Sequence, residues 1–351
     1  MNLQNLADGV KAHIRSAANS RHVRAVHISR GLRDARHVAI LVVHNEAERI
    51  PHVLDYYRRR GIEHFIFIDN MSTDITADLL RREPDISLFL ATGSYRRARF
   101  GIDWVNALLQ RHCAGKWILH IDADEFLVFP HDDTQSIPSL TGMMMRNGQI
   151  SLQCLMIDMY SDRQPRDNVC LAGDDPLSVC PLYDRSGYAA KLEERTRTLW
   201  IKGGVRGRLF FAGDVWAGPA LNKTPLVRWR RHYAFLKSAH QLWPPSVNDG
   251  NSSPALQIRG ALLHFKFLAD ISAKLSEEAV RRQHTSEYGA YGSIAGDGEG
   301  PRFPGPQTAR FEDWRSLERD GLIGEGVAQF TRIGATSEKV AYESLSGASA
   351  A

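Results

Sequence analysis

The sequence predicts an α/β protein with a mostly parallel central sheet flanked by helices. Three observations lead there. Continuous apolar runs at residues 38–43 (VAILVV), 64–68 and 117–121 read as strands buried on both faces. The segments between them carry helix-face periodicity instead. Each run then ends in polar residues: His44-Asn45-Glu46, Asp69-Asn70 and Asp122-Ala123-Asp124-Glu125. Open α/β sheets bind their ligands at that edge, beyond the strand C-termini.

In chain order, Ile50, Val53, Leu54 and Tyr57 lie at helix-face spacing, with Pro51 in the first turn and Gly61 as the stop. Ser72 or Thr73 is expected to cap the following helix, whose apolar positions are Ile75, Leu79 and Leu80. Residues 101–113 predict a helix with Trp104, Val105, Leu108 and Leu109 on its apolar face. A strand is expected at 151–157, and 160–188 form a long excursion rich in Asp, Pro and Gly. Residues 199–211 and 226–229 read as strand-like, and 260–268 as an apolar strand carrying His264 and Lys266. A helix is expected over 269–284, irregular chain over 285–310 and a frayed tail from Ala335.

Asp122, Asp124 and Glu125 fall within four residues. Like charges so close raise one another's pKa unless a cation or hydrogen bonds compensate them. Carboxylates are hard oxygen donors for Mg²⁺ or Mn²⁺, which commonly share them with substrate phosphates. The pattern predicts a site for a metal-bound diphosphate; the alternative is a polar loop at the sheet edge.

The segments HNEAERIPHVLDYYRRRGIEHFIFIDNMSTDIT and WILHIDADEFLVFP resemble the family 2-like glycosyltransferases of the GT-A fold, in a subgroup with an Asp-x-Asp-Glu-Phe motif. GGVRGRLFF, NKTPLVRW and GALLHFKFL continue the resemblance, which spans roughly residues 37 to 290. It implies transfer of a sugar, a hexose from a UDP-sugar by expectation, to a glycan or lipid-linked acceptor with Mn²⁺ or Mg²⁺. With the placement of charge and of Gly and Pro, the expected division is a basic arm (1–36), a GT-A-like catalytic domain (37–284) and a Gly/Pro-rich segment with tail (285–351).

Under that resemblance Asp124 is the direct metal ligand, while Asp122 lies nearer the donor ribose or reaches the metal through water. His264 is the late histidine ligand. His264 and Lys266 are also two apart on an expected strand and so share a face, and such a pair is hard to bury without an anion. Lys266 is then expected to neutralise the departing diphosphate. His44, Asn45 and Glu46 are expected at the base and ribose, with Asp69 at the uracil or ribose. Arg99 and Asp103 either reach the donor or form a surface salt bridge. Lys223 is expected at a phosphate, and Arg206 and Arg208 alternate onto one face. Glu125 is a supporting carboxylate, a base or a structural acceptor. Asp158, just after a strand, is the expected base if the transfer is inverting, which needs a carboxylate at the acceptor hydroxyl. The 160–188 excursion is expected to face the acceptor.

The chain has 351 residues with ordinary globular composition. No apolar stretch approaches the ~20 residues of a membrane-spanning helix, and no signal-peptide core is present, which predicts a cytoplasmic protein. Cys113, Cys154, Cys170 and Cys180 form no C-x-x-C pair and are expected to be reduced. Charge is uneven. Residues 1–36 hold seven Lys and Arg against Asp8 and Asp34, a net +5, whereas the whole chain is +4. This segment is expected either to meet anionic lipid at the inner membrane face, as in surface polysaccharide synthesis, or to pack as a solvated helix. Nucleic acid is disfavoured, since no recognised binding motif accompanies the basic residues. HNEAE in place of a glycine-rich turn excludes a dinucleotide fingerprint. Two rivals stand: a phosphohydrolase with an Asp nucleophile, and a non-catalytic sugar-binding scaffold.

Overall fold

A computed structural model describes residues 3–281, 290, 291, 294 and 300–326. Helices α1 (Leu3–Asn19), α2 (Gly31–Asp34), α3 (Ile50–Arg59), α4 (Thr76–Arg81), α5 (Ile102–His112), α6 (Ile137–Arg146), α7 (Gly204–Phe210), α8 (Ile271–Arg281) and α9 (Trp314–Arg319) surround one ten-stranded sheet. Its strands are β1 (Val23–His27), β2 (His37–Val43), β3 (His64–Asp69), β4 (Ile86–Ala91), β5 (Trp117–His120), β6 (Glu125–Val128), β7 (Ser151–Asp158), β8 (Asn222–Arg228), β9 (Ile258–His264) and β10 (Gly324–Glu325). They lie in the order β1-β4-β3-β2-β5-β8-β7-β9-β10, with β6 paired to β9. The pairings make β2, β3, β4, β5, β7 and β9 run one way, and β1, β6, β8 and β10 the other. This is the mostly parallel α/β architecture that the sequence predicts.

The apolar runs are explained by cover on both faces. Along β2, Ala39, Leu41 and Val43 join one core with α3 and α6, while Val38 and Ile40 join a second with α5. A strand that faces two cores has no polar position to spare until it ends. The C-termini of β2, β3, β5, β7 and β9 therefore bring their polar residues to one edge.

Four expectations change. Residues 199–211 are not one strand: Thr198–Gly203 pairs with Tyr188–Glu193, and the chain then turns into α7 at Gly203 (φ 116°) and Gly204 (φ 60°). Both φ values favour glycine over any L side chain. Strand β9 stops at His264, short of Lys266. The boundary at residue 36 falls inside a continuous structure, because α1 packs on α5 and β1 pairs with β4. The described part of 285–351 also returns to the body: Thr308–Arg310 pairs with Leu182–Asp184, and β10 pairs with β9. The expected tail from Ala335 lies outside the described residues. Among those described, no helix is long and apolar enough to cross a membrane.

Candidate active site at the strand ends

The register of β9 assembles the site. His264 lies opposite Glu125 of β6 and beside Asp158 of β7. Backbone bonds lock the junction: Phe265 N–H donates to Asp124 O at 2.9 Å, and Met159 N–H to His264 O at 2.9 Å. The imidazole is held from both sides, with Nδ1 2.6 Å from Asp158 Oδ1 and Nε2 3.4 Å from Asp124 Oδ2. Burial alone would lower the His264 pKa, but the Asp124 and Asp158 carboxylates outweigh it and raise the ring to about 9. Asp124 moves well below the carboxylate range, since His264, Arg49 and Lys274 outweigh the effect of its burial.

Asp158 is fixed on its other side by Arg206 Nε, 2.7 Å from Oδ2, with both side chains almost wholly buried. Burial raises the Asp158 pKa, and Arg206 and His264 pull it below the usual value. A buried carboxylate with both oxygens engaged orients a histidine; it is not placed to take a proton from an acceptor, so the expected base role does not fit. Arg206 and Arg208 were expected on one strand face. On α7 they diverge, and Arg208 binds Asp184 through Nε at 3.1 Å and a terminal nitrogen at 3.0 Å.

A second cluster begins at the same turn. Lys223 of β8 lies 3.1 Å from Asp122 Oδ2 and is ion-paired with Glu125 Oε1. Glu125 Oε2 also accepts the Asp122 N–H at 3.2 Å. Glu125 is fully buried, and burial pushes it up to about 7 even against Lys223. Glu125 thus accepts from Lys223 and from the Asp122 backbone inside the protein. Lys223, expected at a phosphate, instead neutralises two carboxylates. Asp122 alone of the three keeps a half-exposed side chain.

The remaining expected residues separate into two groups. His44, Asn45, Glu46 and Asp69 do gather at the ends of β2 and β3, but their polar atoms are engaged. His44 Nδ1 lies 2.9 Å from Asn70 O, and its Nε2 2.9 Å from Glu277 Oε1. Asn45 (φ 55°) accepts the Thr73 N–H at 2.8 Å, and Asp69 the Ser72 N–H at 3.1 Å. Glu46 binds Arg49 at 2.8 Å and Lys274 at 2.7 Å. Arg99 and Asp103 stand apart. Asp103 is fully buried, bound to Arg99 Nε at 2.9 Å and to Asn19 Nδ2 at 2.9 Å, so the pair joins α5 to α1 and does not face a donor. Lys266, beyond the strand end, has its ammonium 5.3 Å from the Tyr291 ring centroid.

Sequence reasoning missed Arg49, which links Glu46 to Asp270 of the segment before α8 at 2.7 Å and also acts on Asp124. Its signal was the i, i+3 spacing from Glu46. A cavity of about 240 Å³ opens beside Asp124, lined among others by Arg49, Phe126, Cys170, Phe265 and Leu268.

Among the described residues no group of three or more His, Cys, Asp or Glu is arranged to hold a metal. The Asp124–His264 pair nevertheless fits one. Two donors, each about 2.1 Å from an ion, can be at most about 4.2 Å apart, and 3.4 Å lies within that. A buried carboxylate behind the ligating histidine is the usual supporting arrangement. Two protein donors also suit ions that take their other ligands from phosphate and water.

No protein-family model matches the chain, and no curated protein matches it in sequence. Solved structures align over parts of it. A mannosyltransferase from Pyrobaculum calidifontis, in complex with GDP-Man and Mn²⁺, is 20% identical over 47% of this chain and 46% of its own, with a TM-score of 0.27. Glucosyl-3-phosphoglycerate synthase from Mycobacterium tuberculosis, with Mn²⁺, UDP and glucosyl-3-phosphoglycerate, is 18% identical over 37% and 47%, with a TM-score of 0.23. A 4-diphosphocytidyl-2C-methyl-D-erythritol synthase is 15% identical over 37% and 64%, with a TM-score of 0.25. The chain thus spans about half the length of the first two. At these TM-scores the likeness carries no weight, and the fold assignment rests on the strand order.

Proposed function

We propose that this protein is a metal-dependent glycosyltransferase of the GT-A type, moving a sugar from a nucleotide diphosphate, by preference a UDP-sugar, to a glycan or lipid-linked acceptor. The observation that carries the reading is the Asp158–His264–Asp124 chain, with His264 Nε2 3.4 Å from Asp124 Oδ2, beside an open cavity. Asp124 and His264 are the residues that would hold Mn²⁺ or Mg²⁺, the ion taking the place of the Nε2 proton that a ring with a pKa of about 9 carries at neutral pH. Such an ion supplies neutralisation of the charge that develops on a diphosphate leaving group.

The chain's own residues do the rest. Asp158 accepts the Nδ1–H and so turns Nε2 toward Asp124; Arg206 keeps Asp158 ionised. Ionised Asp124 keeps its donor oxygens available at neutral pH. Arg49 adds a fixed cation at the cavity wall, suited to diphosphate oxygens. His44 and Glu46 hold the β2 end through α8, so a donor binding there exchanges contacts with Glu277 and Lys274 for its own. Lys223 and Glu125 keep the turn rigid.

The test is a screen of nucleotide sugars for slow donor hydrolysis. EDTA should abolish it, and Mn²⁺ or Mg²⁺ should restore it. Metal-dependent nucleotide binding without turnover of any donor would favour the scaffold reading. Release of phosphate from simple phosphate esters, with no nucleotide preference, would favour the phosphohydrolase.

A further inference from the structure

Helix α1 is mounted with its large apolar residues outward. Its buried positions are Asn5, Gly9, Ala12 and Ser16, all small or polar. Close docking explains that choice: a Cβ at Gly9 would lie 2.5 Å from the Trp243 ring. Asn5 and Asp8 are further anchored by Arg195, each at 2.8 Å. On the opposite face Leu3, Leu6, Val10 and Ile14 follow a 3-4-4 spacing and are 84%, 40%, 48% and 64% exposed. A helix that packs by its apolar face shows the reverse pattern.

Charge borders this stripe. Lys11 and Arg15 are exposed along one flank, one helical step from Ile14. Arg21, Arg24, Arg30 and Arg33 are exposed in the chain that follows. Residues 1–36 are net +5, so the other 315 residues are net −1. Asp8, the single acid of the helix, is neutralised by Arg195.

We propose that the outer face of α1 is a membrane-binding surface that lies in the interface of an anionic lipid bilayer. The 17-residue helix spans about 25 Å. Its stripe would enter the acyl boundary while Lys11, Arg15 and the following arginines meet lipid phosphates. Neither a second copy nor the chain's own tail offers the same match. Two copies would bring their +5 segments together, and residues 327–351 contain only two acidic residues against two basic ones. The inference does not depend on the catalytic reading.

Flotation of the full chain with phosphatidylcholine vesicles, with or without phosphatidylglycerol, tests it. Wild type should float with the anionic vesicles in low salt and partly release as salt rises. The double variant Leu6→Asp/Val10→Asp should bind at least roughly tenfold more weakly with an unchanged melting temperature, because both positions face solvent. Lys11→Glu/Arg15→Glu should weaken binding by a similar roughly tenfold factor. No flotation of wild type in low salt overturns the proposal, as does equal flotation by wild type and the Leu6/Val10 variant. A wild-type dimer that this variant makes monomeric, without vesicle binding, would make the stripe a subunit contact instead.

Discussion

The turn from Asp122 to Glu125 feeds two charge clusters that differ in what closes them. Lys223 is sealed against Glu125, with both side chains almost fully buried. Asp124 and His264 are backed by Asp158 and Arg206, and Asp124 borders a cavity. Adjacent carboxylates of one chemistry thus take different work. A compensated, buried carboxylate gives rigidity, whereas a partly open one with an oriented imidazole leaves donor atoms for something else. Histidines divide the same way. His264 is raised to about 9, whereas burial lowers His120 to about 4 and His240 to about 3 on the Lys223 side.

The largest effect should come from the open cluster. Asp124→Asn is expected to cut metal-dependent donor hydrolysis by roughly 10³-fold, the scale of losing a preorganised charge-stabilising group. Melting temperature should stay close to wild type; a full-rate mutant would end the distinction between the clusters. The closed cluster should respond in stability. Lys223→Met leaves Glu125 buried without its cation and should cost about 3–5 kcal/mol in denaturant unfolding. Adding Glu125→Gln should recover part of that loss, and failure to do so would mean the two do not act as a pair.

Asp158→Asn comes next. Replacing the carboxylate behind His264 should weaken Mn²⁺ affinity by roughly 10–100-fold, measured by titration calorimetry, with a smaller change in maximal rate. Unchanged affinity would reduce Asp158 to a packing role. Acid sensitivity around the Lys223 cluster tests the closed side separately. His120 and His240 bind protons more readily unfolded, near pH 6.5, than folded. The unfolded state therefore holds more protons between about pH 6.5 and 4, and stability falls as pH falls through that window. Each histidine should contribute about 1.4 kcal/mol per pH unit. His240→Asn should flatten the slope; an unchanged slope would put the titration elsewhere.

Much of this was readable in the sequence because a strand buried on both faces leaves a plain signature. Residues 38–43, 64–68 and 117–121 became β2, β3 and β5 within a residue or two, and their polar ends meet at one edge. His264 was reachable since it interrupts an apolar run. The Asp158–Arg206 support behind it was not. Glycines at 203 and 204 turn the chain into α7, and only that turn sends Arg206 to Asp158. Lys223 pairs with Glu125 across 98 residues, a contact set by strand order, which local pattern does not encode. The N-terminal segment shows the opposite failure: its charge was visible, but which face of α1 meets Trp243 depends on a tertiary surface.

The most direct test is calorimetric titration of UDP into wild type and Asp124→Asn, with Mn²⁺ and with EDTA. The account predicts binding by wild type that requires Mn²⁺ and is lost in Asp124→Asn, with both proteins folded by circular dichroism. UDP binding of equal strength in EDTA, or in the folded Asp124→Asn protein with Mn²⁺, would contradict it.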